Sequence, residues 1–129
     1  MNTKRAFISF DFDHDAELRD ALVGQAKNPD SPFAIADWSV QEPFAEKWKD
    51  QVRERMRKTD LTIVICGEHT HEAKGVAAEL TIAQEEQKPY FLLWGRPKKV
   101  CHKPAMTRRS DKVYEWTWNN LKQLIAGAR

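Results

Sequence analysis

Four short apolar runs punctuate the chain: RAFISF (5–10), PFAIA (32–36), LTIVIC (61–66) and PYFLLW (89–94). They are continuous rather than alternating, which is the pattern of strands covered on both faces. A weaker fifth run, KVYEW (112–116), follows a basic loop over 97–111 that has no clear period. Between the runs, apolar positions recur at helical spacing. Leu18, Ala21, Leu22 and Gln25 follow the first run, with Asp15 as the expected N-cap. Trp48, Val52 and Met56 mark a helix after the second. Val76, Leu80 and Ala83 mark one after the third, starting near Lys74 or Gly75. Trp118, Leu121 and Ile125 mark the last, with Thr117 as cap and Asn120 three residues on.

Strands alternating with helices predict an α/β fold with a parallel sheet and helices on both faces. Five strands fit the flavodoxin-like order 2-1-3-4-5. Repeats, low-complexity tracts and linkers are absent from the 129 residues, so one domain over 1–129 is expected.

Composition adds exclusions. A hydrophobic fraction of 41% supports a core, and a charged fraction of 31% carries no signature of disorder. A net charge of +2 is too balanced to argue for a nucleic-acid partner. Cys66 and Cys101 read as reduced thiols. No stretch resembles a secretory leader or approaches the roughly 20 apolar residues of a membrane span. The expected location is the cytoplasm, with no membrane partner.

In such sheets ligands bind beyond the carboxyl ends of the strands, at the switch between strands one and three. DFDHD, DWSVQEPF and CGEHTHEAKG should therefore share one cleft. Asp11 and Asp13 suggest a phosphatase of the haloacid-dehalogenase type or a response-regulator receiver. Cys66-Gly67 stands where those need Ser/Thr or Asp, and no suitable lysine follows. The plainer reading is that the aspartates cap the first helix. Cys66, His69 and His71 match no familiar zinc spacing and lack an evident fourth ligand, so no metal is expected.

Glu79 carries more weight. At about 100° per residue it lies roughly 60° from the centre of the Val76–Leu80–Ala83 stripe, beside the core face. Glu85 points away from that stripe and Glu86 lies farther from the cleft. Spacing alone leaves Glu79 open between a cleft carboxylate and an ordinary helix glutamate held by the dipole. Trp38, Phe44 and Trp48 supply aromatic surface near the second loop, although Trp48 also suits its helix's core stripe. The RPKK and TRR clusters read as solvated loops.

These residues resemble a family. AFISFDFDHD is similar to the first box of TIR domains, and ADWSVQEPF falls where they carry the loop after strand two. DLTIVICGEHTHEAKGVAAELTIAQEEQKPYFLLWG looks like their third strand, its loop, the helix of the active-site glutamate and the fourth strand. The likeness is nearest to short bacterial TIR-like proteins of Thoeris-type antiphage defence. Two departures stand out: Phe44 follows Pro43 where many receptor TIR domains have Pro-Gly, and Gly75–Ala78 replace the Trp or Cys often found before the glutamate.

The resemblance implies an enzyme that cleaves the nicotinamide–ribose bond of NAD⁺, with NAD⁺ as substrate and no separate cofactor. Its products would be ADP-ribose, a cyclic isomer or a conjugate, released as a signal for a separate effector protein. It also implies self-association through TIR–TIR contacts and a phage-derived trigger. The family's catalytic glutamate falls on Glu79. Phe10, Asp11 and Phe12 would line the nicotinamide half, and Trp38 and Ser39 the second wall. Cys66, Gly67, His69 and His71 would form the floor, with His69 or His71 assisting proton transfer. A non-catalytic TIR-like interaction module is the alternative class.

Overall fold

The computed structural model describes residues 3–37 and 47–128. Strands β1 (Lys4–Ser9), β2 (Phe33–Asp37), β3 (Leu61–Cys66), β4 (Tyr90–Trp94) and β5 (Val113–Glu115) form one sheet in the order β2-β1-β3-β4-β5. Every neighbouring pair is parallel. Helices α1 (Ala16–Ala26), α2 (Trp48–Arg57) and α3 (Lys74–Glu85) connect the first four strands, and α4 (Trp118–Ala126) follows β5. A 3-10 turn at Thr70–Glu72 leads into α3. The expected α/β class and strand order are both present.

The continuous apolar runs have a simple cause. All six residues of β3 are buried, because helices cover both faces of the central strand. Strand parity survives inside that run. Leu61, Ile63 and Ile65 pack with Ala6, Ile8, Leu22 and Leu121, toward α1 and α4. Val64 and Cys66 pack with Val76, on the α3 side. On β1 the same alternation sends Ile8 and Phe10 toward α1 and α4, and Phe7 toward Trp48, Val52, Met56, Ile82 and Ala83. Fully burying a Phe or Ile side chain contributes about 1.5–3 kcal/mol, so this sorting fixes the register of β1 between its helices.

Parity decides what comes next. Ser9 follows Phe7 by two residues and therefore faces α3. That helix runs antiparallel to the strands, so Glu79 lies about one turn nearer the carboxyl edge than Ile82 and Ala83. Ser9 and Glu79 are placed to meet.

Helix ends follow the sequence in part. Thr117 Oγ1 accepts the Asn120 backbone N–H at 3.1 Å, so Thr117 is the cap of α4. Asp15 holds the N-cap position of α1, but its side chain makes no capping hydrogen bond. Its Oδ1 accepts instead from Arg96 Nη2 at 3.0 Å. A charge-assisted bond to guanidinium is stronger than one to a neutral N–H, which is why the cap is forgone. On α1, Ala21 is exposed, and Leu18, Leu22 and Ala26 carry the apolar stripe. Glu85 and Glu86 face α2, where Arg53 binds both at 2.9 Å and Arg57 Nε binds Glu86 at 2.6 Å.

Candidate active site

The loops after β1 and β3 and the start of α3 enclose a cleft of about 420 Å³. Phe10, Asp11, Phe12, Asp13 and His14 line one side. His69, Glu72, Ala73, Lys74, Gly75 and Val76 line the other. The first loop is built by its own aspartate. Asp11 Oδ1 accepts the Asp13 N–H at 3.0 Å, and the Asp11 carbonyl accepts the Asp15 N–H at 2.8 Å. This turn presents Phe12 tilted against Phe10, with ring centroids 4.5 Å apart.

The second loop is pinned by backbone contacts. Thr70 Oγ1 accepts the Gly67 N–H at 2.7 Å, and the Gly67 carbonyl accepts the His102 N–H at 3.0 Å. The first loop is clamped from β4's end, where Arg96 Nη2 donates to the His14 carbonyl at 2.9 Å, to Asp15 Oδ1 and to Glu17 Oε1. Arg96 is thus a structural clamp, not the solvated cation that RPKK suggests. Burial pushes the Asp15 carboxyl above the usual aspartate range, against the opposing pull of Arg96.

Glu79 sits behind the cleft wall, one turn along α3 from Val76, and is 3% exposed. Ser9 Oγ donates to its Oε1 at 2.7 Å. Burial lifts the carboxyl from its ordinary 4.5 to about 8, and the Ser9 hydrogen bond opposes that rise. Glu86, just past the end of the same helix, is drawn down to about 2 by Arg57 and Arg53. One carboxylate is thus tied into a helix–helix zipper. The other is held with a hydroxyl and no cation among the described residues, at the sheet's carboxyl edge, so burial outweighs its one hydrogen bond.

Removing the hydroxyl should move Glu79 further. Hydrogen bonds to charged groups are worth about 1.5–3 kcal/mol, so Ser9→Ala should raise the Glu79 pKa by about one to two pH units. Carbon-13 NMR of the glutamate carboxyl against pH measures this directly, and an unmoved titration would show that Ser9 is only a neighbour.

Phe10, Asp11, Phe12 and His69 meet at the cleft as the sequence suggested. Cys66, Gly67 and His71 do not line it. Cys66 is wholly buried, and burial pushes its thiol up to about 12. Both cysteines are free. His71 lies against His102, with ring centroids 4.1 Å apart. Trp38 and Ser39, like Phe44, fall outside the described residues. Among the described residues no three His, Cys, Asp or Glu side chains gather as a metal cup. No helix among them is long and apolar enough to cross a membrane. Sequence reasoning missed Ser9, His14 and Arg96. Only the Asp11–His14 spacing of three could have signalled any of them, and it points to His14.

A parallel 2-1-3-4-5 sheet whose first and third loops flank a helix with a buried glutamate is the architecture of a TIR-like domain. The family described as Thoeris protein ThsB, TIR-like domain, matches residues 7–98, and the chain belongs to it. No curated protein matches the sequence.

Proposed function

We propose that the protein cleaves NAD⁺ at the nicotinamide–ribose bond to make a signal in antiphage defence, with Glu79 as the catalytic carboxylate. The observation that carries this reading is Glu79 itself, a buried acid held by Ser9 at the carboxyl edge of the sheet. Nicotinamide leaves as a neutral molecule, so the transition state is cationic at the ribose. A preorganised carboxylate in a water-poor site stabilises that charge by several kcal/mol more than it would in water, on the order of the 2.7–4 kcal/mol lost with one oxyanion donor.

The raised pKa fits the same chemistry. In the empty protein the acid is mostly protonated at neutral pH, which lowers the cost of burying it. The pyridinium of the substrate is an opposite charge that draws the carboxylate into its ionised form on binding. The cleft volume lies near the lower end for small-molecule sites and suits one half of a dinucleotide, with Phe10 and Phe12 offering ring faces.

A second reading, a non-catalytic TIR-like interaction module, draws on the near-complete cover of Glu79. Incubation with NAD⁺ separates the two, with nicotinamide followed by chromatography. The protein is assayed alone, at high concentration, and in extracts of phage-infected cells. Nicotinamide release supports the enzyme. Its absence under every assembled condition supports the interaction module.

A further inference from the structure

The cleft holds an acid–base pair that the role given to Glu79 does not use. His14 Nδ1 lies 2.7 Å from Asp11 Oδ2. Asp11 is buried, and the Asp13 N–H on Oδ1 stops its carboxylate from turning away. The other constraint on the ring is His69, stacked on it at 4.0 Å and 25° between planes. The His14 carbonyl is held by Arg96. An imidazole with Nδ1–H given to a carboxylate carries its lone pair on Nε2. Among the described residues Nε2 takes no hydrogen bond, and the side chain lines the cleft while 47% exposed.

We propose that His14 is the general base of the reaction and Asp11 its positioning residue. The inference rests on the NAD⁺-cleaving reading. The C1′–N bond breaks, and its electron pair goes to the nicotinamide nitrogen, which neutralises the pyridinium. The acceptor is water or another hydroxyl, and its oxygen supplies the pair for the new C1′–O bond. Its proton passes to His14 Nε2. The resulting imidazolium is stabilised by Asp11 and returns the proton to solvent from its exposed edge. The sum is NAD⁺ plus an alcohol or water giving the ADP-ribosyl product, nicotinamide and one proton.

The surrounding charges support the role. The Asp11 hydrogen bond raises His14 from its ordinary 6.5, against slight burial, and Asp13 and Asp15 act in the same sense as Asp11. Across the cleft stand His69, Glu72 and Lys74. Asp11 in turn has both carboxylate oxygens engaged within the protein, which makes it a support for His14 more than a direct ligand of substrate.

Two measurements test the pair. Nitrogen-15 NMR of the His14 ring should show Nδ1–H in the neutral form, titrating above 6.5, and Asp11→Asn should bring that titration down. An Nε2–H tautomer, or a titration indifferent to Asp11→Asn, would overturn the pairing whatever the activity. In the turnover assay, His14→Gln should slow product formation about 100-fold, the lower end of general-base effects. Asp11→Asn should cost about tenfold or somewhat more, as expected for loss of one hydrogen bond to a charged group, with kcat falling more than KM changes. Full turnover in His14→Gln while Glu79→Gln is silent removes the base role alone. No nicotinamide from the wild-type protein removes the NAD⁺ reading and the base role with it, and the NMR titration then reports a structural pair only.

Discussion

Glu79→Gln should sharply slow nicotinamide release while making the protein more stable at neutral and higher pH. The amide keeps the acceptor for Ser9 Oγ but carries no negative charge for the ribosyl cation. Loss of one preorganised electrostatic group typically costs about 10²–10³ in kcat, and that is the expected drop. The stability effect has a defined sign. The folded carboxyl titrates at about 8 and its ordinary value is 4.5, so between those pH values the folded chain holds a proton that the unfolded chain has released. Wild-type stability from this group is therefore full below about pH 4.5 and falls as pH rises through 8. The slope approaches about 1.4 kcal/mol per pH unit. Glutamine removes that dependence. By pH 8 the variant should be more stable on the order of 2–4 kcal/mol, read as a higher Tm at pH 8 than wild type and near equality at pH 4.5. In the active enzyme, kcat/KM should climb with pH toward about 8, because it reports the free enzyme's groups. Undiminished turnover in Glu79→Gln would remove the proposed mechanism. Equal pH dependence of stability in both proteins would show that the glutamate is solvated in solution. Activity lost while stability is gained would mark Glu79 as a residue kept for function at the expense of stability.

The ease with which the fold is read comes from the physics of a sheet covered on both faces. Such strands cannot alternate, so LTIVIC announces itself, and β3 occupies the very residues of that run. The first run misleads by one position: Phe10 is apolar because it enters the α1/α4 core, although the strand ends at Ser9. Glu79 was legible as an acid beside an apolar stripe. Ser9 was not, because a serine inside a strand gains meaning only when the helix above it is known. Arg96 illustrates the harder limit. It sits in a run of cations that looks solvated, and its partner Asp15 is 81 residues away in sequence. Periodicity reports which face an element buries. It does not report which loops meet across a sheet edge, and the cleft is made of those meetings.

Gly67→Ala should be among the most destabilising single changes at this edge, for a reason confined to a few atoms. A Cβ on Gly67 would stand 2.2 Å from Asp15 Oδ2, 2.6 Å from Oδ1 and 2.7 Å from Cγ. Separations this short cannot be borne, so one partner must move. Gly67 cannot easily retreat, because its N–H is held by Thr70 and its carbonyl by His102. Asp15 cannot swing outward, because its side chain is buried and tied to Arg96. Overpacking alone costs about 1–3 kcal/mol, and displacing one member of a buried ion pair costs about 3–5 kcal/mol. An intermediate loss of about 3 kcal/mol corresponds to a Tm lower by roughly 10 °C for a chain of this size. The cause can be isolated with a double-mutant cycle. Asp15→Ala removes the obstructing carboxylate and should itself destabilise, since Arg96 then keeps only Glu17 and the His14 carbonyl. Within that background Gly67→Ala should cost much less, a coupling of at least about 1 kcal/mol. Strictly additive losses would mean that the clash is relieved elsewhere and that glycine is not required by Asp15. A strong coupling would establish that the residue after β3 is glycine so that a buried aspartate can brace the neighbouring loop, and that the cleft's two walls are built as one unit.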